Sequence, residues 1–444
     1  MTRFVSAQSV MQTKFWLMKT TFVVWLCCLA GTVNALSQTI PEPQETTSDT
    51  KETREQVLRD ASLAERALAA MRAPIGFSFG VMELSAPNFS APVSTSKSLT
   101  FTMVQPRVFS TLNTGRTHFQ FDYTFGFRRS NQHKDIRASE HAAGIRFDYQ
   151  LSRNLSLQLA DNFRSAIDDY GTFLRSSLPA VYDPSFSQPL YALHSRMTTN
   201  SLITSLNYHA SKRSNISVIS SYDRWRFSNS SFGAVQGVQA GVRSEYQVNK
   251  WLFLQNSYFH YLNQVDPRFQ AGSIQRLQVG GLNFVLRRNL QLSIAGGADH
   301  TRYQEGRRTG ASLEAGLSKT SRSARVNLHY YRGFYRAVGP QALMGGDMFS
   351  ASYGQWLSRR VSVNLDSAYN RGAALSGGSK LQYLSASAEV QVALQRHVMW
   401  TAQFWYISQR GSLVPAGYNV GRMTGSTGLY FFLPPIGGRP TARR

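Results

Sequence analysis

From His118 to Phe127 the chain reads His-Phe-Gln-Phe-Asp-Tyr-Thr-Phe-Gly-Phe, alternating apolar and polar or small side chains without a break. Ile145 to Leu151, Leu290 to Ile294 and Val361 to Asp366 repeat the same period of two. A strand sends successive side chains to opposite faces, so each segment has one apolar and one polar face. A water-soluble sandwich alternates too. The connections separate the two cases. Leu151-Ser-Arg-Asn-Leu155, Val248-Asn-Lys-Trp-Leu252, Leu286-Arg-Arg-Asn-Leu290, Leu357-Ser-Arg-Arg-Val361 and Leu394-Gln-Arg-His-Val398 share one short form, with a base among three turn residues. Between them lie longer, variable connections: 129–138, 168–196, 263–272, 336–347, 376–380 and 411–418. Short turns at one end and long loops at the other, in alternation, mark a transmembrane barrel.

The pattern predicts strands at 74–84, 99–112, 116–128, 140–151, 155–167, 197–210, 216–227, 234–248, 252–262, 273–286, 290–302, 308–318, 324–334, 348–357, 361–371, 381–394, 397–410 and 420–433. The expected fold is an all-β, closed antiparallel transmembrane barrel of about 18 strands, with 16 as the alternative. Strands of this length cross the hydrocarbon at a tilt. Closure removes edges that lipid would leave unpaired.

Composition narrows the setting. Of 444 residues, 42% are hydrophobic and 16% charged, with 48 bases against 25 acids. No run of 18 apolar residues occurs, which excludes a polytopic helical membrane protein. The abundance of Phe, Tyr and Trp argues against disorder. Lys14 and Lys19 precede an apolar stretch from Phe22 to Ala30, and Val33-Asn34-Ala35 follows. This is the layout of a secretory signal peptide (1–35), with removal expected after Ala35. Both cysteines, Cys27 and Cys28, fall inside it. Residues 36–72 read as a periplasmic leader and a short amphipathic helix: Val57, Ala61, Ala64, Leu68 and Met71 form one helical stripe over 53–72. That helix docks on the barrel mouth, self-associates, or has no partner; the stripe does not choose between these. Residues 434–444 form a basic C-terminal tail.

The final strand carries Ser426-Thr-Gly428-Leu-Tyr-Phe431-Phe-Leu433. Gly428 followed by Phe431 and Leu433 resembles the assembly signal of Gram-negative outer-membrane β-barrels, the porin-like class. Here the signal is internal, since a tail follows. The resemblance covers roughly 73–433. It implies a bacterial outer-membrane location, with outer-membrane lipids, lipopolysaccharide and the barrel-assembly machinery as partners. A homo-oligomer is compatible with it.

The expected lipid-facing set includes Phe119, Phe121, Tyr123, Phe125, Phe127, Ile145, Phe147, Leu313, Leu328, Trp400 and Phe404. The opposite, lumen-lining face carries His118, Gln120, Asp122, Arg146, Asp148, Arg243, Glu245, Glu314, Arg325, His329, Asp366 and Glu389. A barrel of 16–18 strands is too wide for side chains to fill, so this face is expected to meet water. That is a route for passive diffusion of small hydrophilic solutes. Residues 73–444 hold 40 bases against 18 acids, and rings of Arg favour anions in a pore. Many of these bases sit in turns and loops, such as Arg128-Arg129, Arg287-Arg288, Arg307-Arg308 and Arg359-Arg360, where lipid phosphates are the competing explanation. They are spread over the whole framework rather than massed on one element, which argues against nucleic acid.

No HExxH, no Gly-x-Ser-x-Gly and no histidine pair at metal-ligand spacing occurs, so neither an enzyme, nor a metal, nor a cofactor is expected. Two alternatives to the diffusion pore stand. One is a gated export barrel for an acidic exopolysaccharide. The other is a closed barrel with an enzymatic or structural role.

Overall fold

The computed structural model describes residues 75–86, 99–132, 137–167, 186–189, 196–228, 234–265, 272–287, 289–303, 306–321, 323–338, 343–375, 380–412 and 420–433. The expected signal peptide, leader, helix and basic tail lie outside the described residues.

The strands are β1 (Ile75–Ala86), β2 (Leu99–Asn113), β3 (Thr117–Ser130), β4 (Arg137–Ser152), β5 (Leu155–Ile167), β6 (Phe186–Pro189), β7 (Arg196–His209), β8 (Ser214–Phe227), β9 (Ala234–Gln247), β10 (Leu252–Val265), β11 (Gly272–Arg287), β12 (Leu290–Tyr303), β13 (Gly306–Thr320), β14 (Ala324–Val338), β15 (Leu343–Trp356), β16 (Val361–Ala374), β17 (Lys380–Gln395), β18 (Val398–Gly411) and β19 (Val420–Leu433). Apart from β6, each pairs antiparallel with its neighbours in sequence, and β1 closes on β19 from Phe77↔Leu433 to Ser85↔Gly425. The wall is therefore a closed barrel of 18 strands, not 16. β6 is a nineteenth, short strand within the connection from β5 to β7, and it pairs parallel with the end of β14.

Several of the short turns are built alike, with one side-chain oxygen capping the turn. Thr114 Oγ1 accepts from the Thr117 amide (3.1 Å), Asn249 Oδ1 from the Trp251 and Leu252 amides (2.9 Å each), Ser321 Oγ from Ala324 (3.0 Å) and Ser358 Oγ from Val361 (3.2 Å). Ser, Thr and Asn make such local bonds readily, which fixes hairpin register at this end. The sequence pattern recovers most strand limits within two or three residues. It misses most at β14 and β15: 336–347 reads as a loop, whereas β14 runs on to Val338 and β15 starts at Leu343. Gly345 and Gly346 break the visible alternation there, yet they pair with Ala373 and Gly372 of β16.

Burial follows the period of two. In β3, Asp122, Thr124, Arg128 and Ser130 are buried, while Phe127 is 40% exposed. Large apolar side chains are exposed on the outside around the barrel: Phe79, Ile145, Tyr258, Ile294, Leu313, Leu365, Phe404 and Leu429. The apolar face is thus the outer one, the reverse of a water-soluble barrel. Gly428 is pressed against β1, where an added Cβ would lie 2.5 Å from Met82 Cγ and from the Val81 carbonyl. Phe431 and Leu433 point outward, 40% and 55% exposed.

Candidate functional site: the barrel interior

The interior divides into two halves. Toward the short-turn end the charged inward side chains are partly exposed, beside a small buried apolar patch of Met399, Phe432 and Tyr430. Toward the long-loop end they are buried.

In the short-turn half, alternation places His118, Gln120, Arg146, Asp148, Arg243, Glu245, Glu314, Arg325, His329, Asp366 and Glu389 on the inward face, each half-buried or exposed. Arg243 and Arg325 are the exposed bases. Strand register brings several of these residues together. Arg146 Nε donates to Asp148 Oδ2 (2.9 Å) on the same strand. Glu389 accepts from Asn364 Nδ2 (3.3 Å) on β16 and from Gln403 Nε2 (2.8 Å) on β18. A row then crosses four strands: Ser257 Oγ donates to Gln278 Oε1 (2.9 Å), Gln278 Nε2 donates to Glu314 Oε2 (3.0 Å), and His329 Nε2 lies 3.1 Å from Glu314 Oε1. The carboxylates Asp148, Glu314 and Glu389 are thus held by charge-assisted bonds while remaining partly exposed, and Ser257 and Gln278 are buried behind Glu314. Asp122 differs from the expectation of a water-lining residue. It is 2% exposed and bound by Arg107 Nε at 2.7 Å on the neighbouring β2.

The long-loop half holds a buried cluster of Met197, Phe259, Tyr261, Ile274, Tyr331, Tyr335, Leu343, Met344 and Met348. Arg276 of β11 is buried among them. Its Nε donates to Asp299 Oδ1 (2.9 Å) and its Nη2 to the Phe334 carbonyl (2.8 Å), and its guanidinium lies 4.3 Å from the Tyr331 ring centre. Tyr331 donates to Asp299 Oδ2 (2.6 Å), which also accepts from the Phe334 amide (2.9 Å). A buried charge is tolerated only when paired and hydrogen-bonded, and each group here has partners.

The network has a structural consequence. β13 pairs with β14 only from Thr320↔Arg325 to Leu313↔Arg332. Beyond Arg332, β14 leaves β13 and its backbone is caught by Arg276 and Asp299, side chains on the inward face of β11 and β12. Gly333 makes the bend at φ +155°, and an added Cβ would stand 2.1 Å from the Tyr331 hydroxyl. The released edge of β14 then accepts β6, Arg336↔Phe186 and Val338↔Pro189. Around the wall, β14 stands seven strands from β7, so β6 is docked far from the strands that flank its own connection. A second buried pair, Arg128 with Glu140 (3.1 Å), sits against Phe101.

The expected lumen residues carry no nucleophile, base and orienter in one place. Among the described residues no group of three or more His, Cys, Asp or Glu could hold a metal. Sequence reasoning did not single out Arg276, Asp299, Tyr331 or Gly333. The available signal was weak: an Arg and an Asp at inward positions of adjacent strands, and a Gly interrupting an aromatic run.

No protein-family model matches the sequence, and no curated protein does. Solved structures similar to it include OccK2 (OpdF) of Pseudomonas aeruginosa, 9% identical, with a TM-score of 0.41 over 81% of this chain and 97% of that one. OccAB2 of Acinetobacter baumannii is 8% identical, with a TM-score of 0.40 over 81% and 98%. The outer membrane protein opdK of P. aeruginosa is 9% identical, with a TM-score of 0.40 over 81% and 98%.

Proposed function

We propose that this chain is a bacterial outer-membrane barrel through which small hydrophilic solutes diffuse passively. The observation that carries the reading is the orientation of the closed wall: apolar side chains are exposed outside, while charged and amide side chains face inward. Lipid solvates the first face and water the second. The short turns then lie at the periplasmic end and the long loops outside the cell. Residues 1–35 act as the signal peptide, and Gly428, Phe431 and Leu433 present the final strand to the barrel-assembly machinery.

Passage runs from the hydrophilic half into the narrower half. In the hydrophilic half a solute meets Arg146, Arg243 and Arg325 on one hand, and Asp148, Glu245, Asp366 and Glu389 on the other. Bases and acids are interleaved, so local placement, more than the chain's net charge, sets which ions pass. A small carboxylate finds its donors at the exposed Arg243 and Arg325. The filled half favours a small unitary conductance over that of a wide hole.

The test is planar-bilayer conductance of the purified chain beginning after Ala35. Discrete steps with a salt-gradient reversal potential are expected. A silent protein, correctly closed and inserted, would overturn the diffusion reading and leave the closed-barrel alternative. Steps that appear only once 36–72 is removed would turn the reading to a plugged or gated barrel.

A further inference from the structure

The outer face of β10 to β13 breaks the apolar rule near the long-loop end. His260, Gln275, His300 and Thr309 stand in one row across four strands, by the pairings His260↔Gln275, Gln275↔His300 and His300↔Thr309. One step nearer the rim, Ser273 pairs with Arg302 and Arg302 with Arg307. Both arginines are exposed on the outside, directly opposite each other across the hairpin. Two like charges so placed repel. Among the described residues of β10 to β13 the acids are Asp299 and Glu314, both inward-facing; Glu305 of the hairpin lies outside the described residues. The contrast is Arg332 on β14, which has an outward acid at hand, Asp347 at 3.9 Å.

Height argues for what lies against the pair. Arg302 is twelve residues along β12 from Leu290. At about 3.4 Å per residue and a tilt near 40°, that is roughly 30 Å above the short-turn rim. The apolar band of such barrels is about 25 Å tall. Arg302 and Arg307 therefore stand just above the hydrocarbon, at headgroup level. Opposed guanidiniums present paired N–H forks that match phosphate oxygens, and the His300–Thr309 pair (2.9 Å apart) adds donors beneath them.

We propose that Arg302 and Arg307, with His300 and Thr309, form a binding site for the phosphate groups of a phosphorylated membrane lipid in the leaflet at the long-loop end. Under the outer-membrane reading, on which this inference rests, that lipid is the phosphorylated anchor of lipopolysaccharide.

The test uses the full refolded chain in detergent. Retention of diphosphorylated lipid A, its dephosphorylated form, and inorganic pyrophosphate is compared by native mass spectrometry. The double variant Arg302→Gln/Arg307→Gln is expected to lose the diphosphorylated lipid by about tenfold or more, given two charge-assisted contacts. Arg371→Gln/Lys380→Gln, on the outer rim of β16 and β17, is expected to keep it. Unchanged retention in the first variant, or equal loss in the second, overturns the site. So does equal retention of the dephosphorylated lipid, or displacement by pyrophosphate at matched concentration, which would mark a free-anion site. Should the Gln variant fail to close, Arg302→Lys/Arg307→Lys keeps the charge without the forks. Weakened retention supports the site, and wild-type retention counts against it. Conductance of the same preparations reports separately on the membrane reading: silence with intact lipid retention would sink the pore and leave the site.

Discussion

The two halves of the interior use the same residue types to different ends. Near the short turns, Arg146 and Asp148 are bonded to each other yet half-exposed, and Arg243 and Arg325 stand in the open. Near the long loops, Arg276 and Asp299 are 2% and 0% exposed, with every bond made inside the protein. An ion pair at the first level is a surface pair of small energetic weight. At the second level it is a buried pair whose breakage leaves a charge without water. The difference teaches that burial, not residue type, decides the role: the pair near the long loops holds β14 in its inward bend, while the charges near the short turns stay partly exposed.

The largest expected effect comes from breaking the buried half. Asp299→Ala should cost about 3–5 kcal/mol of stability, since it strands the Arg276 guanidinium. It should also release the end of β14 and raise unitary conductance. Denaturant midpoint and single-channel recording check the two arms. A wild-type midpoint would mean that the two halves do not differ as stated. Next comes the outer wall: Ile294→Arg, four residues into β12 and facing out, should cost about 2–4 kcal/mol in a bilayer. The inward neighbour Ser293→Arg should cost much less, and equal costs would contradict the assignment of faces. Smaller again is Gly333→Ala, which places a methyl against the Tyr331 hydroxyl and should destabilise by about 1–3 kcal/mol, read as a lower thermal midpoint. The smallest effect on stability belongs to the wide half. Arg243→Gln/Arg325→Gln should leave the midpoint within about 0.5 kcal/mol per site. It should move the reversal potential in a salt gradient toward cations; an unmoved potential would show that solutes do not pass these bases.

How far the sequence could be read follows the same division. The wide half was legible because its residues obey one local rule: His118, Gln120, Arg146 and Asp148 alternate with Phe119, Phe121, Ile145 and Phe147 over unbroken runs. Turn chemistry made the short end legible too, through Thr114, Asn249, Ser321 and Ser358. The narrow half was not legible, since nothing local distinguishes Arg276 from Arg243, or Asp299 from Asp366. Their roles depend on which strands the barrel sets beside them and on β14 leaving the wall. Residues 336–347 illustrate this: with Gly339, Pro340, Gly345 and Gly346 they read as a loop. Strand pairing with β16, and not propensity, extends β15 through the glycines. β6 was hidden for the same reason, its partner lying some 150 residues away in sequence.

The closed wall also implies an order of events. Every pairing around it joins strands adjacent in the chain except one, the seam where Phe77 meets Leu433. Local hairpins form early and distant contacts late, because loop closure must precede the reward of a distant contact. The wall can thus grow hairpin by hairpin, with the seam as its single long-range step. β6 has no edge to join until β14 exists and has turned away from β13. β6 can thus pair only after the far wall has formed.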